Sequence, residues 1–533
     1  MSTKYKEEKS NRKLLRSTFA VSLPTLLSRV LGYLRDMIQA FFLGTGTSAD
    51  AFTIAYIIPN LLRRLTAEGA MTSAFIPVFS KMKKEEKREK LWRFANIFFF
   101  DLTLVLAVLV VLGIIFSPLL VKIIAFGFRD VQGKMSLTVL LTRIMFPYVF
   151  LVSLAALAMA ILNSFHKFFV PALTPVLFNI TVITAAAVFA ARSHEPAFVF
   201  AVGVVIGGAV QLGFQIPFLR KKGMGFKPLI SFKHPAVRQV AKLMIPGIFG
   251  AGIHQINFAL SRMIASTLEE GSVSSLYYSS RVQEFTLGLF SIALSIALLP
   301  TFSDLVASKD YSGIKRTLSF SLRAIYFITI PAMVGLFVLS RPIIHILYQR
   351  GHFDAQSTMM TASCLLFFSF SLPFISGVKI IAPAFYSLQD TKTPAVVAFF
   401  VMIIYISLSI VLMGPLRVGG IALALSIASV FNFLTLFYLL EKKIGAVEKK
   451  KIISSVIKSS FAAVIMGFSV WVFFKSFPFY EMSFLIKLAT FSGTIFLGMI
   501  VYVLLSILFN KEEFKAFRLI LSRKKIKKVK EIQ

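Results

Sequence analysis

The apolar positions of this chain come in long unbroken runs. They follow neither the alternation of a half-buried strand nor the 3.6-residue stripe of a surface helix. LVLAVLVVLGIIF at 104–116 and VVAFFVMIIYISLSIVLM at 396–413 are two of them. A run of about 18 apolar residues is long enough to cross a hydrocarbon core about 30 Å thick. Alternating strands of about ten residues, the mark of a membrane β-barrel, are absent from the pattern. Helices are the remaining way to satisfy backbone N–H and C=O groups in lipid. The pattern predicts fourteen spans, at roughly 14–42, 48–80, 94–124, 135–164, 169–191, 196–219, 239–267, 272–304, 315–348, 356–388, 393–413, 416–440, 453–475 and 483–509.

The polar segments between the runs support that count. The segments at 81–93, 220–242, 441–451 and 523–530 are strongly basic, while 44–47, 267–272 and 414–417 are short and nearly free of Lys and Arg. With fourteen spans every basic segment falls on one side together with both termini, and the positive-inside rule makes that side the cytoplasm. One span more or fewer scrambles the arrangement.

An internal repeat divides the chain. IPVFS at 76–80 matches LPTFS at 299–303, and at the same offset of 223 positions Arg93 meets Arg316, Ser164 meets Ser387 and Pro171 meets Pro394. Six spans per half make the repeats parallel, related by an axis along the membrane normal, with the substrate site expected where they meet. The fold expected is an all-α polytopic membrane protein of two six-helix lobes, 1–225 and 226–445. Two further spans lie in 446–510 and a basic cytoplasmic tail in 511–533.

Composition agrees with this reading. Of 533 residues 57% are hydrophobic and 15% charged, against about a quarter charged in soluble domains. The net charge of +34 could serve a nucleic acid. It is confined to short loops between apolar runs, where it sets topology and meets anionic headgroups, so no nucleic-acid partner is expected. A single cysteine, Cys364, cannot form an internal disulfide and has no metal-type neighbours in sequence. No metal or cofactor is expected. The basic N-terminus, MSTKYKEEKSNRKLLR, leads into the first run without a small-residue cleavage site and does not read as a cleaved signal peptide.

Ionisable residues inside membrane spans are expensive and usually face a cavity or a partner. They gather in spans 1, 2, 7 and 8: Arg29, Arg35 and Asp36; Arg63, Arg64 and Glu68; His254 and Arg262; Arg281 and Glu284. Part of this is internal pairing. Arg64 with Glu68 and Arg281 with Glu284 have helical pair spacing, and Arg29 with Asp36 share a face. Of the charges just named, the five arginines of spans 1, 2 and 8 face three acids and leave about two positive charges over, with Arg35 and Arg63 the best candidates. Arginine does not deprotonate and grips phosphate through a planar fork, so an anionic, phosphate-bearing cargo and purely structural pairing both stand as readings. Gly32, Gly44 and Gly46 permit close helix approach, and Pro59, Pro77, Pro147, Pro300 and Pro373 could kink spans.

SRVLGYLRD at 28–36, SADAF at 48–52, PNLLRRLTAEGAMTSAFIP at 59–77, LYYSSRVQEF at 276–285 and APAFYSLQDTKTP at 382–394 closely resemble the MurJ (MviN) family of lipid II flippases, in the MOP exporter superfamily. The resemblance spans nearly the whole chain. It implies a central cavity formed by spans 1, 2, 7 and 8, a groove along spans 13 and 14 for the polyprenyl tail, and a bacterial inner-membrane transporter without covalent chemistry. It implies that Arg29, Arg35, Arg63 and Arg281 bind the diphosphate and peptide carboxylates, with Asp36 and Asp50 also implicated and Ser28 beside Arg29 as in the family motif; Glu284, spaced to pair with Arg281, is counted with the substrate site. Lipid II and membrane lipids are the partners implied, for a monomer. Spans 7, 11 and 12 lack the carboxylate some members are proposed to use for sodium and offer only Asn257 and Asn432, with Asp390 at the edge of span 11. Drive by the membrane potential is therefore expected.

Three other functions compete. A flippase for another polyprenyl-diphosphate-linked oligosaccharide, of O-antigen type, shares the same charge logic. A cationic-drug exporter needs acids where this chain has arginines. A polyprenyl-phosphate glycosyltransferase needs a sizeable catalytic loop, which the spacing of the spans does not leave room for.

Overall fold

A computed structural model describes residues 3–63 and 71–515. Among the described residues there is no strand. The chain runs through α1 (Thr3–Leu43), α2 (Thr47–Arg63), α3 (Thr72–Glu85), α4 (Arg88–Ile115), α5 (Ser117–Ile124), α6 (Lys134–Met145), α7 (Pro147–Ser164), α8 (Phe169–Phe189) and α9 (Pro196–Lys222). It continues through α10 (Pro235–Ala265), α11 (Ser272–Ala307), α12 (Tyr311–Val338), α13 (Ser340–Tyr348), α14 (Ala355–Ser369), α15 (Leu372–Ser387), α16 (Lys392–Ile444), α17 (Lys449–Lys475) and α18 (Phe484–Phe509).

Among the described residues, eight helices are long and apolar enough to cross a membrane, or nine if α14 and α15, bent by 46°, form one span. The helices that carry the in-span charges, α1, α2, α10 and α11, are not among them. Fourteen crossings therefore require the charged helices to cross as well. Spans 11 and 12 both lie in α16, which breaks at Arg417 (φ 49, ψ −134) beside Pro415. Prolines act in two ways. Pro147 and Pro373 stand in the first turn of α7 and α15 and open a new helix, whereas Pro59, Pro77 and Pro300 lie inside α2, α3 and α11. The first kind fits the N1 preference of proline, whose missing N–H has no partner there in any case.

The repeat read from sequence persists at the level of single residues. Helices α4 and α12 start 223 positions apart, at Arg88 and Tyr311, and end 223 apart, at Ile115 and Val338. Helices α7 and α15 both end on the matched serines Ser164 and Ser387. Two residues later His166 and Gln389 each take a positive φ, 57° and 58°. Each turn is then closed by the same backbone bond, Lys167 N–H to Leu162 O and Asp390 N–H to Phe385 O, both 3.0 Å. Chance likeness of apolar segments does not reproduce a left-handed residue with its capping bonds.

The chain divides into two compact units, Met1–Ser274 with Arg350–Asp354, and Ser275–Gln349 with Ala355–Gln533. In the first unit α8 packs on α1 and α9, and α2 packs on α6. Helix α10, assigned by the sequence to the second lobe, packs here on α3, α4 and α5. One apolar core of this unit gathers Phe75, Phe79, Phe94 and Leu157, and another gathers Phe52, Tyr148, Phe178 and Phe200. In the second unit α12 packs on α15 and α17, and α17 on α18, around Phe302, Leu322, Phe385 and Tyr502. Phe461, Val464, Phe468, Phe496 and Leu504 of α17 and α18 are exposed, as suits lipid-facing surface.

Candidate functional site

The charged stretch of α1 lies against α8. Asn179 of α8 donates to the Ser28 carbonyl at 3.1 Å, which holds the two helices together at the level of Ser28 and Arg29. Arg29 itself is exposed. Two turns on, Asp36 is fully buried and accepts from Arg35 Nη2 at 2.8 Å and Nε at 3.2 Å. The Arg35 guanidinium also lies 5.8 Å from the Phe178 ring centre, within cation–π range. This corrects the pairing read from sequence. Asp36 engages its neighbour Arg35, which the count of charges had left without an in-span partner. Adjacent helix positions diverge by about 100°, but the long arginine stem spans that angle.

At the end of α2, Arg63 donates through Nε (2.9 Å) and Nη2 (2.8 Å) to Asn60 Oδ1, one turn back. The amide oxygen fixes the orientation of the guanidinium. The expected Arg64–Glu68 pair lies outside the described residues, as does the side chain of His254. Arg262 of α10 is buried at 4% exposure and donates to Ser261 Oγ at 2.9 Å.

Asp50 lies in the first turn of α2 and is buried at 1% exposure. Its Oδ2 takes the Lys134 ammonium at 2.7 Å and the Gly271 N–H at 2.9 Å. Its Oδ1 takes the Ser274 N–H at 2.8 Å and hydroxyl at 2.7 Å. One carboxylate thus ties the start of α2 to the start of α6 and to the α10–α11 turn. The turn depends on glycine, since Gly271 has φ +89° and a Cβ there would stand 2.3 Å from the Thr45 carbonyl. Gly44, with φ +59°, similarly lets the 350–354 loop close in, and His352 N–H bonds Phe41 O at 2.9 Å.

In the second unit Arg281 and Glu284 pair as their spacing foretold, Nη1 to Oε2 at 3.0 Å, with 29% and 41% of their side chains exposed. Sequence reasoning missed a third charge here. Lys379 stands in α15, half-buried in an otherwise apolar helix, within electrostatic reach of Glu284. The signal was available, because a lone lysine in a span obeys the same rule that drew attention to the arginines. Asp390 accepts from Lys443 and from the Thr393 N–H at 2.9 Å. Those bonds outweigh burial, which acts the other way, and bring its carboxyl down to about 2. It is a loop tie, and its oxygens are committed.

The described residues form an all-helical fold with the long apolar helices of a polytopic membrane protein, the architecture also seen in solved transporters of the MOP superfamily. A solved inward-facing multidrug resistance MATE family transporter of that superfamily aligns with a TM-score of 0.66 at 13% identity, over 78% of this chain and 96% of that one, a likeness of fold alone. A solved "Lipid II flippase MurJ, inward closed conformation" aligns with a TM-score of 0.77 at 29% identity, over 92% of this chain and 99% of that one. The family model described as Lipid II flippase MurJ matches residues 39–491. The probable lipid II flippase MurJ of Vibrio cholerae serotype O1 is 36% identical over 438 residues, 80% of this chain and 83% of that protein. The chain belongs to the MurJ family, which consists of transporters and not enzymes.

Proposed function

We propose that this chain flips lipid II, the undecaprenyl-diphosphate-linked peptidoglycan precursor, from the cytoplasmic to the outer leaflet of the bacterial inner membrane. The carrying observation is the family match over 39–491, which encloses Asp50, Arg63, Arg281 and Glu284. The chain acts as a monomer with both termini in the cytoplasm and fourteen crossings.

The reading assigns Arg29, Arg35, Arg63 and Arg281 to the anionic groups of the cargo. Taking a diphosphate out of water without compensating charge is prohibitive, and bidentate guanidinium bonds provide that compensation. Half-exposed ion pairs such as Arg281–Glu284 are worth about 0–1 kcal/mol, so a diphosphate can displace the carboxylate at little cost. Ser28, Asp36 and Glu284 orient the arginines beside them. Alternating access then carries the headgroup across while the polyprenyl chain stays in lipid. A potential negative inside favours outward movement of the anion by about 2.3 kcal/mol per charge per 100 mV.

The test is leaflet accessibility of lipid II in cells where this chain is the sole flippase. Arg29→Ala, Arg35→Ala, Arg63→Ala and Arg281→Ala each abolish flipping with membrane insertion intact. Normal flipping by all four variants ends the cationic-site reading.

A further inference from the structure

We propose that the loop between α9 and α10 is a membrane-surface anchor that inserts Leu229, Ile230 and Phe232 into the interface of the basic leaflet and holds anionic phospholipid headgroups there. The segment from Arg220 to Lys242 carries seven Lys and Arg residues and no Asp or Glu. Leu229, Ile230 and Phe232 are 36%, 59% and 47% exposed, and Lys227 and Lys233 flank them. Three outward apolar side chains between two lysines match a boundary that is apolar on one side and anionic on the other.

The loop is also held at the right height. At the basic end of α4, Arg88 Nη2 donates to the Lys222 carbonyl at 2.7 Å. Further along α4 the buried side chain of Asn96 accepts the Lys227 N–H at 2.9 Å, and buried Asp101 accepts the Ser231 N–H at 2.8 Å. Phe226 packs edge-on to Phe99, with ring centres 5.4 Å apart. The backbone therefore climbs α4 by about 20 Å between the levels of Arg88 and Asp101, at 1.5 Å per residue. Beyond Asp101 the character of α4 changes, and Leu104, Val105, Val108, Val111, Leu112 and Ile115 are all exposed. The pinned loop thus reaches, at Ser231, the level where the lipid-facing surface of α4 begins, before His234 returns to stack on Phe94. Two side-chain acceptors aimed at loop N–H groups fix a rigid shape, which a merely solvated linker does not need.

The test uses the full chain with Ile230→Cys carrying an environment-sensitive dye, since the other cysteine, Cys364, is buried. It is reconstituted in vesicles of phosphatidylcholine alone or mixed with phosphatidylglycerol. Quenching by lipid-borne spin labels is expected to exceed quenching by aqueous iodide. Spin-labelled phosphatidylglycerol is expected to quench several-fold better than spin-labelled phosphatidylcholine, with the preference falling toward unity in Lys227→Gln/Lys233→Gln. Dominant iodide quenching places the loop in water and overturns the proposal. Lipid quenching without preference for phosphatidylglycerol overturns its headgroup half. Asp101→Asn, which keeps an acceptor for Ser231, checks that loss of signal in any variant reflects the loop and not the fold.

Discussion

Removing the carboxylate of Asp50 should cost the protein stability through Lys134, not through any contact with cargo. The two groups are 1% and 3% exposed and 2.7 Å apart. Breaking a buried pair by deleting one partner typically costs about 3–5 kcal/mol, because the remaining charge stays buried without compensation. Asp50→Asn keeps an amide oxygen for the Ser274 or Gly271 N–H but not for both, which adds about 1–3 kcal/mol for the orphaned donor. The ring of Phe128, 4.3 Å from the Lys134 ammonium, recovers part of the loss. Asp50→Asn is therefore expected to destabilise by about 3 kcal/mol or more. Replacing a buried pair by apolar groups of similar volume is often neutral, so Asp50→Asn/Lys134→Met should regain at least half of the deficit.

Equilibrium unfolding of the purified protein in micelles, titrated with SDS, reads the stabilities, and the leaflet-accessibility assay reads function on the same variants. A double variant that recovers both stability and flipping marks Asp50 as a tie between α2, α6 and the α10–α11 turn. A double variant less stable than Asp50→Asn refutes the buried-charge argument. One that is stable but inactive returns Asp50 to the cargo.

Two further predictions are independent of that tie. Lys379→Met should lower flipping about fivefold, on the order of 1 kcal/mol for one lost charge contact, while Lys379→Arg retains it; equal activity of the Met variant removes Lys379 from the working charges. His234 caps α10, its Nδ1 accepting the Ala236 N–H at 3.3 Å. Burial, helped by Arg93 and opposed by Asp101, holds its imidazole below the ordinary 6.5. A depressed value means the cap's contribution is complete above pH 6.5 and is lost as pH falls through the folded value. Protection of the first-turn amides of α10, Ala236 among them, corrected for the intrinsic pH dependence of exchange, should therefore fall on acidification in the parent, and a flat corrected profile contradicts the neutral cap.

The architecture was legible because lipid imposes coarse rules. Uninterrupted apolar runs must be helices, and the 223-position repeat, visible in one pentapeptide pair and three single residues, reappears in the matched ends of α4 and α12 and of α7 and α15. The breaks were less legible. The bend between α14 and α15 falls at Phe370 and Ser371, where no glycine marks it, and only Pro373 hints at it. Contacts were legible where they are local, as with Arg281 and Glu284. Lys134 sits just before the fourth apolar run and reads as an ordinary loop lysine. Nothing in the sequence places it beside Asp50, 84 positions earlier. Such a contact is set by how α2 and α6 pack, and packing is not written in hydropathy.

Asp36 is where local reading and packing disagree most, and it separates two roles for an acid beside an arginine. If Asp36 only offsets charge, Asp36→Asn adds a net positive charge beside Arg35 and should favour an anionic cargo. The geometry argues otherwise. Asp36 is at 0% exposure and binds two donors of Arg35, whose own side chain is 12% exposed. A buried carboxylate in that position fixes the fork beside Phe178, and an arginine that has lost its anchor must be ordered again by each cargo, at about 0.5–1.5 kcal/mol per side chain immobilised. Asp36→Asn should therefore slow lipid II flipping by a factor of about two to ten in spite of its more positive charge. Flipping faster than the parent would show that Asp36 merely neutralises, and the orienting role would be lost.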